Sequence, residues 1–382
     1  MYEEQALRIT KLRVKNFLSL KDVDLELSKL NVFIGSNTSG KSNIARAFQL
    51  LANHVRYGVP ILPGYEGFRT IVYGFDETSQ IEFDLHMKKG EHDIRYKLLL
   101  TPDNYVEKAW INDVEAFSSE GRNRKAIVLS RNEERTEFVK PTSRTVSHLL
   151  NVDVYKTPLM KLPVWATREI LELAEMLRSI AVHSFVPKMI RATSQVTEQP
   201  ELGYDGSRLA RVLLKYHLED RKTFSLIEDV LRSLVPEVEE IIPHLEGTNV
   251  ELWLRVKGLR EPLRPANISD GTLRILAYIT ALYSTKSLAV IEEPENSIHP
   301  RLLETIVDLA RKAPCQVIMT THSPYLLDHV KPEEVFVVEK PELETMVKKL
   351  AKTKEVEAVK RLLIEGGTLG EAWYSGLIGG TP

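Results

Sequence analysis

Leu30-Asn31-Val32-Phe33-Ile34-Gly35-Ser36-Asn37-Thr38-Ser39-Gly40-Lys41-Ser42 decides how the rest of the chain is read. Leu30 to Ile34 is an almost unbroken apolar run, the pattern of a strand buried on both faces. Gly35 to Ser42 then matches G-x-x-x-x-G-K-[ST], and Ile44, Ala47, Phe48, Leu50 and Leu51 follow at helical spacing. Gly35 and Gly40 let the backbone approach a phosphate without a Cβ. Ser36, Asn37, Thr38 and Ser39 complete the cradle, and the amides at the helix start point at the anion. Lys41 is expected to reach the β- and γ-phosphates and the Ser42 hydroxyl to ligate Mg²⁺. The bland alternative is a Gly-rich turn without a ligand; the strand–loop–helix setting weighs against it. ATP and Mg²⁺ are the expected ligands.

Composition narrows the rest. Hydrophobic residues make up 43% and charged residues 27% of 382, ordinary globular usage, so a sizeable core can form. Lys+Arg 51 against Asp+Glu 53 gives a net charge of −2, so nucleic acid would have to be met by a local patch rather than by bulk charge. A single cysteine, Cys315, excludes an intramolecular disulfide framework and a Cys-pair zinc site. No apolar run approaches the roughly 18 residues of a membrane span. MYEEQALRIT opens with acids and has no apolar signal core. A cytoplasmic protein with no membrane partner is expected.

Outward from the loop, the period changes along the chain. Leu7, Ile9, Leu12, Val14, Phe17, Val23, Leu25 and Leu27 alternate, as in an antiparallel, half-buried sheet. Residues 52–70 read as a loop. From about 71 to 140 the period is two again: Ile81 to Met87, Ile94 to Leu100, Ala126 to Leu129 and Thr136 to Val139 form a β-rich arm. Residues 1–163 are thus taken as an N-terminal ATPase half with that arm. Residues 164–242 read as a helical lobe, through Ile170 to Ala181, Leu209 to Tyr216 and Phe224 to Leu234, with no sustained heptad and hence no long coiled coil. Residues 243–382 form the C-terminal half, where helices and apolar strands alternate as in a parallel α/β sheet.

Three further motifs carry chemistry in that half. Leu288-Ala289-Val290-Ile291 makes an interior strand whose end delivers Glu292 and Glu293 to the ligand edge of the sheet. Alternation sends the two carboxylates different ways. Glu292 is expected to hold Mg²⁺, through water, and Glu293 to orient or deprotonate the attacking water. The bland alternative is a solvated acidic turn. Ile268-Ser269-Asp270-Gly271-Thr272 precedes an apolar helix; alone it is a capped helix. Placed between a phosphate loop and a carboxylate strand, Ser269, Gly271 and Thr272 become a second anion site. His322, in Thr320-Thr321-His322-Ser323-Pro324, is either structural or a donor to a γ-phosphate oxygen at a strand end.

The order GSNTSGKS, ISDGT, LAVIEEPENSIHP and TTHSP resembles the ABC-type ATPases of the RecF/SMC/OLD-like branch, most of all the stand-alone "predicted ATPase, AAA family" group. The resemblance extends to Ile9–Phe17, to Gly203-Tyr204-Asp205-Gly206-Ser207 and on to Leu213, and to the Gly367-Thr368-Leu369-Gly370 tail. It implies an α/β fold, an ABC-type ATPase head with a mixed sheet. It also implies a composite site in a homodimer, open to higher oligomers, in which Ser269, Gly271 and Thr272 touch the γ-phosphate held by the partner's loop. Asn296 to His299 would cross the dimer interface, and His322 would be the switch histidine. Two positions depart from the pattern. Glu292 stands where many relatives carry Asp, and no Q-loop glutamine is identifiable, Gln80 lacking its flanking motif.

Two functions follow from the resemblance. One is an ATP-driven switch, the sensor of a defence or genome-maintenance system controlling a separately encoded nuclease-like effector. The other is a RecF-like repair ATPase that binds DNA itself. Trp110, Trp165, Trp253 and Trp373 are expected in cores, and Lys348-Lys349 to Lys354 on a solvated helix face or a phosphate-backbone patch.

Overall fold

The computed structural model describes residues 6–57, 62–120, 127–128 and 168–379. β1 (Arg8–Phe17) and β2 (Leu20–Glu26) pair antiparallel, then β3 (Leu30–Ile34) runs into the glycine loop and α1 (Lys41–Tyr57). That helix reaches six residues into the stretch expected to be loop, because Ala52, His54 and Val55 keep its buried stripe going. β4 (Ile81–Lys89), β5 (His92–Leu100), β6 (Tyr105–Ile111), β7 (Val114–Glu120) and β8 (Ile127–Val128) complete a seven-stranded sheet in the order β2-β1-β4-β5-β6-β7-β8. Thr136–Val139 and Trp165 lie outside the described residues.

The arm sheet sorts its two faces by alternation. Leu12, Val14, Phe83, Leu85, Tyr96 and Leu98 point inward and are buried. The other face carries cross-strand ion pairs: Lys11–Asp24, Arg13–Asp22, Lys97–Glu82 and Arg95–Asp84. The exposed Lys11–Asp24 pair adds little stability, whereas Asp84 is buried and takes Arg95 through both of its oxygens. Together the four pairs leave that face charge-balanced rather than basic.

The second sheet has six strands, ordered β16-β15-β3-β14-β13-β9. Following α2 (Arg168–Arg178), β9 (Ala181–His183) forms one edge; β10 (Ser194–Gln195), β11 (Val238–Glu246) and β12 (Asn249–Val256) make a separate three-stranded sheet. α3 (Leu209–Glu219) and α4 (Arg221–Leu234) sit between β10 and β11 in the chain. α5 (Asp270–Ser284), β13 (Leu288–Glu292), α6 (Leu303–Lys312), β14 (Gln316–Thr321), β15 (Val335–Glu339) and β16 (Met346–Lys349) follow, then α7 (Val356–Ile364) and α8 (Leu369–Tyr374). β9, β13, β14, β3 and β15 are mutually parallel, and β16 alone runs antiparallel.

Strand alternation in this sheet divides the interior in two. Phe33, Val290, Ile318, Phe336 and Val338 join α1, α2 and the arm in one apolar cluster. Val32, Ile34, Ala289, Ile291, Val317 and Met319 join α3 to α8 in the other. The sheet is therefore sandwiched, which is why β3 and β13 read as apolar runs. One polar knot lies in the first cluster: Glu107 Oε1 accepts the Tyr96 hydroxyl at 2.8 Å and lies 3.0 Å from His54 Nε2, tying α1 to the arm.

Three expectations change. Ala181, read as the end of a helix, opens strand β9, because a three-residue strand is too short to show a period of its own. Lys348 and Lys349 belong to strand β16, not a helix; Lys349 reaches the Glu26 carbonyl at 3.0 Å and lies over the Phe336 ring. Trp373 is in the core, but Trp253 is only partly buried, stacked on His244 at 3.8 Å and covered by Arg264, while Trp110 lies under Arg95.

His183, at the end of β9, is buried and lies 3.0 Å from the Gly203 carbonyl through Nδ1. A carbonyl only accepts, so Nδ1 carries the proton and donates. Burial pulls its pKa down to about 4, opposed by the bond to Gly203. The unfolded chain, with its histidine near pH 6.5, then binds more protons than the folded one between those values. Stability is full above about pH 6.5 and falls by up to roughly 3 kcal/mol as the pH drops toward 4. In thermal unfolding across that window, His183→Asn is expected to remove most of this acid sensitivity; an unchanged slope would refute the assignment.

Candidate active site

The parallel strands β3, β14 and β13 lie side by side in register, Ile34 against Thr321 and Thr320 against Glu292. Their C-terminal ends therefore bring together the glycine loop, the two carboxylates and His322 from three distant parts of the chain. This is where ligands bind in open α/β sheets.

The loop is shaped by its glycines. Gly40 sits at φ +100°, and a Cβ there would collide with the Thr345 hydroxyl; at Gly35 a Cβ would meet the Val338 carbonyl and Ser39 Oγ. Lys41 begins α1 and turns its Nζ back on the Gly35 and Ser36 carbonyls, at 2.5 and 2.8 Å. Burial lowers its pKa, and Glu293, Glu295 and Glu292 hold it up. The Ser39 hydroxyl is buried and, among the described residues, has no hydrogen-bond partner. A loop of backbone amides, one lysine and an unspent hydroxyl at a helix start suits a polyphosphate.

Beyond the loop stand the carboxylates. Glu292 accepts the Tyr204 hydroxyl at 2.8 Å on Oε1, which leaves Oε2 for another partner. Burial, then the negative charge of Glu292, pushes the Tyr204 phenol up to about 12, so it stays a donor. Glu293 adopts φ +48°, a left-handed conformation that costs about 1 kcal/mol or more in a non-glycine residue. That turn, and not simple alternation, separates the directions of the two carboxylates. Glu293 Oε2 accepts Asn296 Nδ2 at 2.8 Å, and Oε1 lies 3.2 Å from His322 Nδ1, without the alignment of a hydrogen bond. Glu295 is buried, accepts the Thr321 hydroxyl at 2.5 Å, and its pKa is raised by burial.

The donors fit a small hard cation. Ser42 at the start of α1 and Glu292 offer oxygen only, the chemistry of Mg²⁺. Among the described residues no group of three or more His, Cys, Asp or Glu could hold a metal by itself. A cation here would take its other ligands from phosphate and water, as Mg²⁺ commonly does.

Ser269 caps α5 as expected: its hydroxyl accepts from the Thr272 amide at 3.1 Å. Gly271 is required by its neighbour, since a Cβ would stand 2.8 Å from the Ser297 carbonyl. Ser269 and Asp270 are exposed, and among the described residues no hydrogen bond joins Ser269, Gly271 or Thr272 to the Gly35–Ser42 loop. The structure thus groups the loop, Glu292, Glu293 and His322, and leaves the Ser269 turn facing outward. Gln80 is exposed just before β4 and, among the described residues, gives only its carbonyl, to Asn16. His299 caps the turn after it, accepting from the Arg301 amide at 3.3 Å.

Several residues escaped the sequence reading. Arg191 staples the Ser269 turn, donating to the carbonyls of Pro265 and Ile268 and to Asp270 at 3.1, 2.7 and 2.5 Å. Nothing local marks it. Tyr204 lay within a quoted motif but carried no role. Arg274 keeps a buried Nε that is unpaired among the described residues, with a pKa lowered by burial and supported by Asp270 and Glu293.

The chain is similar to known proteins. The family described as "AAA domain, putative AbiEii toxin, Type IV TA system" matches residues 30–328. The chain is similar to an OLD nuclease of Thermus scotoductus, 25% identical over 360 residues that cover 87% of this chain and 62% of that protein. It spans, then, less than two thirds of that relative. It is also similar to an ATP/GTP phosphatase of Helicobacter pylori, 22% identical over 86% of this chain and 90% of the other. A crystal structure of an Smc head bound to the C-terminal winged-helix domain of ScpA superposes with a TM-score of 0.58 at 14% identity, covering 92% of this chain and 99% of that one. At that identity the likeness is one of fold.

Proposed function

The chain belongs to that AAA-domain family, an ABC-type ATPase of the RecF/SMC/OLD branch, and from this premise we propose that it is a nucleotide-driven switch: it dimerises on ATP, hydrolyses it, and so opens again. The observation that carries the reading is the outward-facing Ser269 turn, unbonded to its own phosphate loop, beside a loop and carboxylates gathered at one sheet edge. A second copy would bring its own Ser269, Gly271 and Thr272 to the phosphate held by Gly35–Ser42. Contacts made only in the closed pair supply the differential affinity that drives closure.

In this reading Glu293 accepts the proton of the attacking water. Asn296 holds one of its oxygens and His322 lies against the other, so the carboxylate is aimed before substrate arrives. Lys41 leaves the loop carbonyls for the β- and γ-phosphates. Mg²⁺, held by Ser42 and by Glu292 directly or through water, would neutralise charge developing on the phosphoryl oxygens. Tyr204 fixes the side of Glu292 that the cation does not use.

The process served is proposed as DNA-related, in defence or genome maintenance, with a separately encoded nuclease-like effector and a cytoplasmic setting. The likeness to an OLD nuclease, of which the chain spans 62%, supports it. The charge-balanced outer face of the arm gives no support to direct DNA binding there. Among the described residues no helix is long and apolar enough to cross a membrane.

Subunit mixing tests the shared pocket. Lys41→Ala and Ser269→Arg proteins should each be inactive alone. Mixed in equal amounts they should recover about a quarter of the wild-type rate if subunits pair at random, and up to about half if only mixed pairs close, since each mixed dimer keeps one intact pocket of two. No recovery, with mixed dimers demonstrably formed, would exclude a pocket built from both copies.

A further inference from the structure

The phosphate loop is held from behind by a hairpin far away in sequence. Both loop glycines back onto it: a Cβ at Gly35 would collide with the Val338 carbonyl of β15, and one at Gly40 with the Thr345 hydroxyl at the entrance to β16. Thr345 is 1% exposed. Its backbone amide donates to the Ser19 carbonyl at 2.8 Å, fastening the hairpin to the turn between β1 and β2.

Its side chain completes a chain of hydrogen bonds whose direction is fixed by chemistry. Thr345 Oγ1 lies 3.0 Å from the Ser39 carbonyl oxygen and 2.6 Å from Ser19 Oγ, and Asn43 Nδ2 lies 2.7 Å from Ser19 Oγ. A carbonyl can only accept, so the single hydroxyl proton of Thr345 goes to Ser39. Ser19 must then donate to Thr345, and its own lone pair takes the amide proton of Asn43. The order is Asn43 to Ser19 to Thr345 to Ser39, with every proton assigned.

The last link sets a peptide plane. The described chain has no cis peptide bond, and in a trans peptide the C=O and N–H point in opposite directions. Drawing the Ser39 carbonyl back toward Thr345 turns the Gly40 N–H to the other side, into the loop. Among the described residues that N–H makes no hydrogen bond, although the neighbouring Ser39 and Asn43 amides do, to the Ser36 and Gly40 carbonyls. It is a donor aimed at the place a phosphate oxygen would take.

We propose that Thr345 is a positioning residue for nucleotide binding: through Ser39 it aims the Gly40 amide at the polyphosphate. The proposal rests on the reading that Gly35–Ser42 holds the nucleotide. A lost hydrogen bond to a charged group weakens binding by about tenfold or more. Thr345→Val, which keeps the shape and removes the hydroxyl, should therefore raise the Kd for ATP and for ADP alike by about tenfold, and KM similarly, with kcat at saturating ATP little changed. Thr345→Ser should restore wild-type affinity. A residue that served stability alone would lower the unfolding midpoint and leave the affinity of the folded protein unchanged.

Calorimetric titration of the full chain with ATP and with ADP, beside thermal unfolding without nucleotide, reads both. If the wild type binds and Thr345→Val binds equally well, the positioning role is overturned and the phosphate-loop reading stands. If the wild type binds neither nucleotide, both fall. Should Thr345→Val not fold, Thr345→Ala carries the same expectation against the same serine control.

Discussion

Glu293→Gln protein is expected to take up ATP and Mg²⁺, run as a dimer, and release phosphate about 10²- to 10⁴-fold more slowly than the wild type, the range that a positioned general base contributes. The substitution changes little else. Glutamine occupies the same volume, tolerates the left-handed backbone at φ +48° no worse than glutamate, and still offers one oxygen to Asn296. What disappears is the capacity to accept a proton, together with one negative charge facing the γ-phosphate. Binding and closure should therefore survive while hydrolysis stalls, so the closed pair accumulates. Phosphate release and light scattering of the eluted species separate the two claims. Normal hydrolysis would remove Glu293 from its role. A variant that stays monomeric at saturating ATP would remove closure from the mechanism.

Lys41→Ala should abolish the upstream step. Removing one member of a desolvated, hydrogen-bonded charge pair costs about 2–5 kcal/mol, or roughly thirty-fold to several thousand-fold in affinity. Lys41 is well placed for such an effect. Burial already disfavours its charge, and three carboxylates sustain it, so it arrives at the phosphates with little water left to shed. The readout is the rise in unfolding temperature that ATP gives the wild type, equivalent to about 2.7 kcal/mol at a hundredfold excess over Kd. That rise should shrink to about a third in the variant at a thirty-fold loss of affinity, and to nothing at a several-thousand-fold loss. An undiminished rise would mean that the nucleotide is held elsewhere.

The glycine loop, its lysine and serine, and the paired carboxylates were legible because each is local. A phosphate cradle needs consecutive amides, and a strand end needs only its own apolar run. His322 and the Ser269 turn were legible by their order along the chain. Tyr204, Arg191 and Thr345 were not, since each acts across the fold: 88 residues separate Tyr204 from Glu292, 79 separate Arg191 from Asp270 and 326 separate Thr345 from Ser19. No periodicity spans such distances. β9 escaped for the opposite reason, being too short to have a period.

By itself, then, the sequence determined the buried strand, the loop, the helix after it and which acids end β13, because these depend on neighbours a few residues apart. Only the tertiary structure decided which carboxylate faces which donor, that Glu293 would leave its strand through a left-handed turn, and that a hairpin near residue 345 would set the loop's peptide planes. Those outcomes depend on where parallel strands place their ends, and that is settled by packing of the whole sheet.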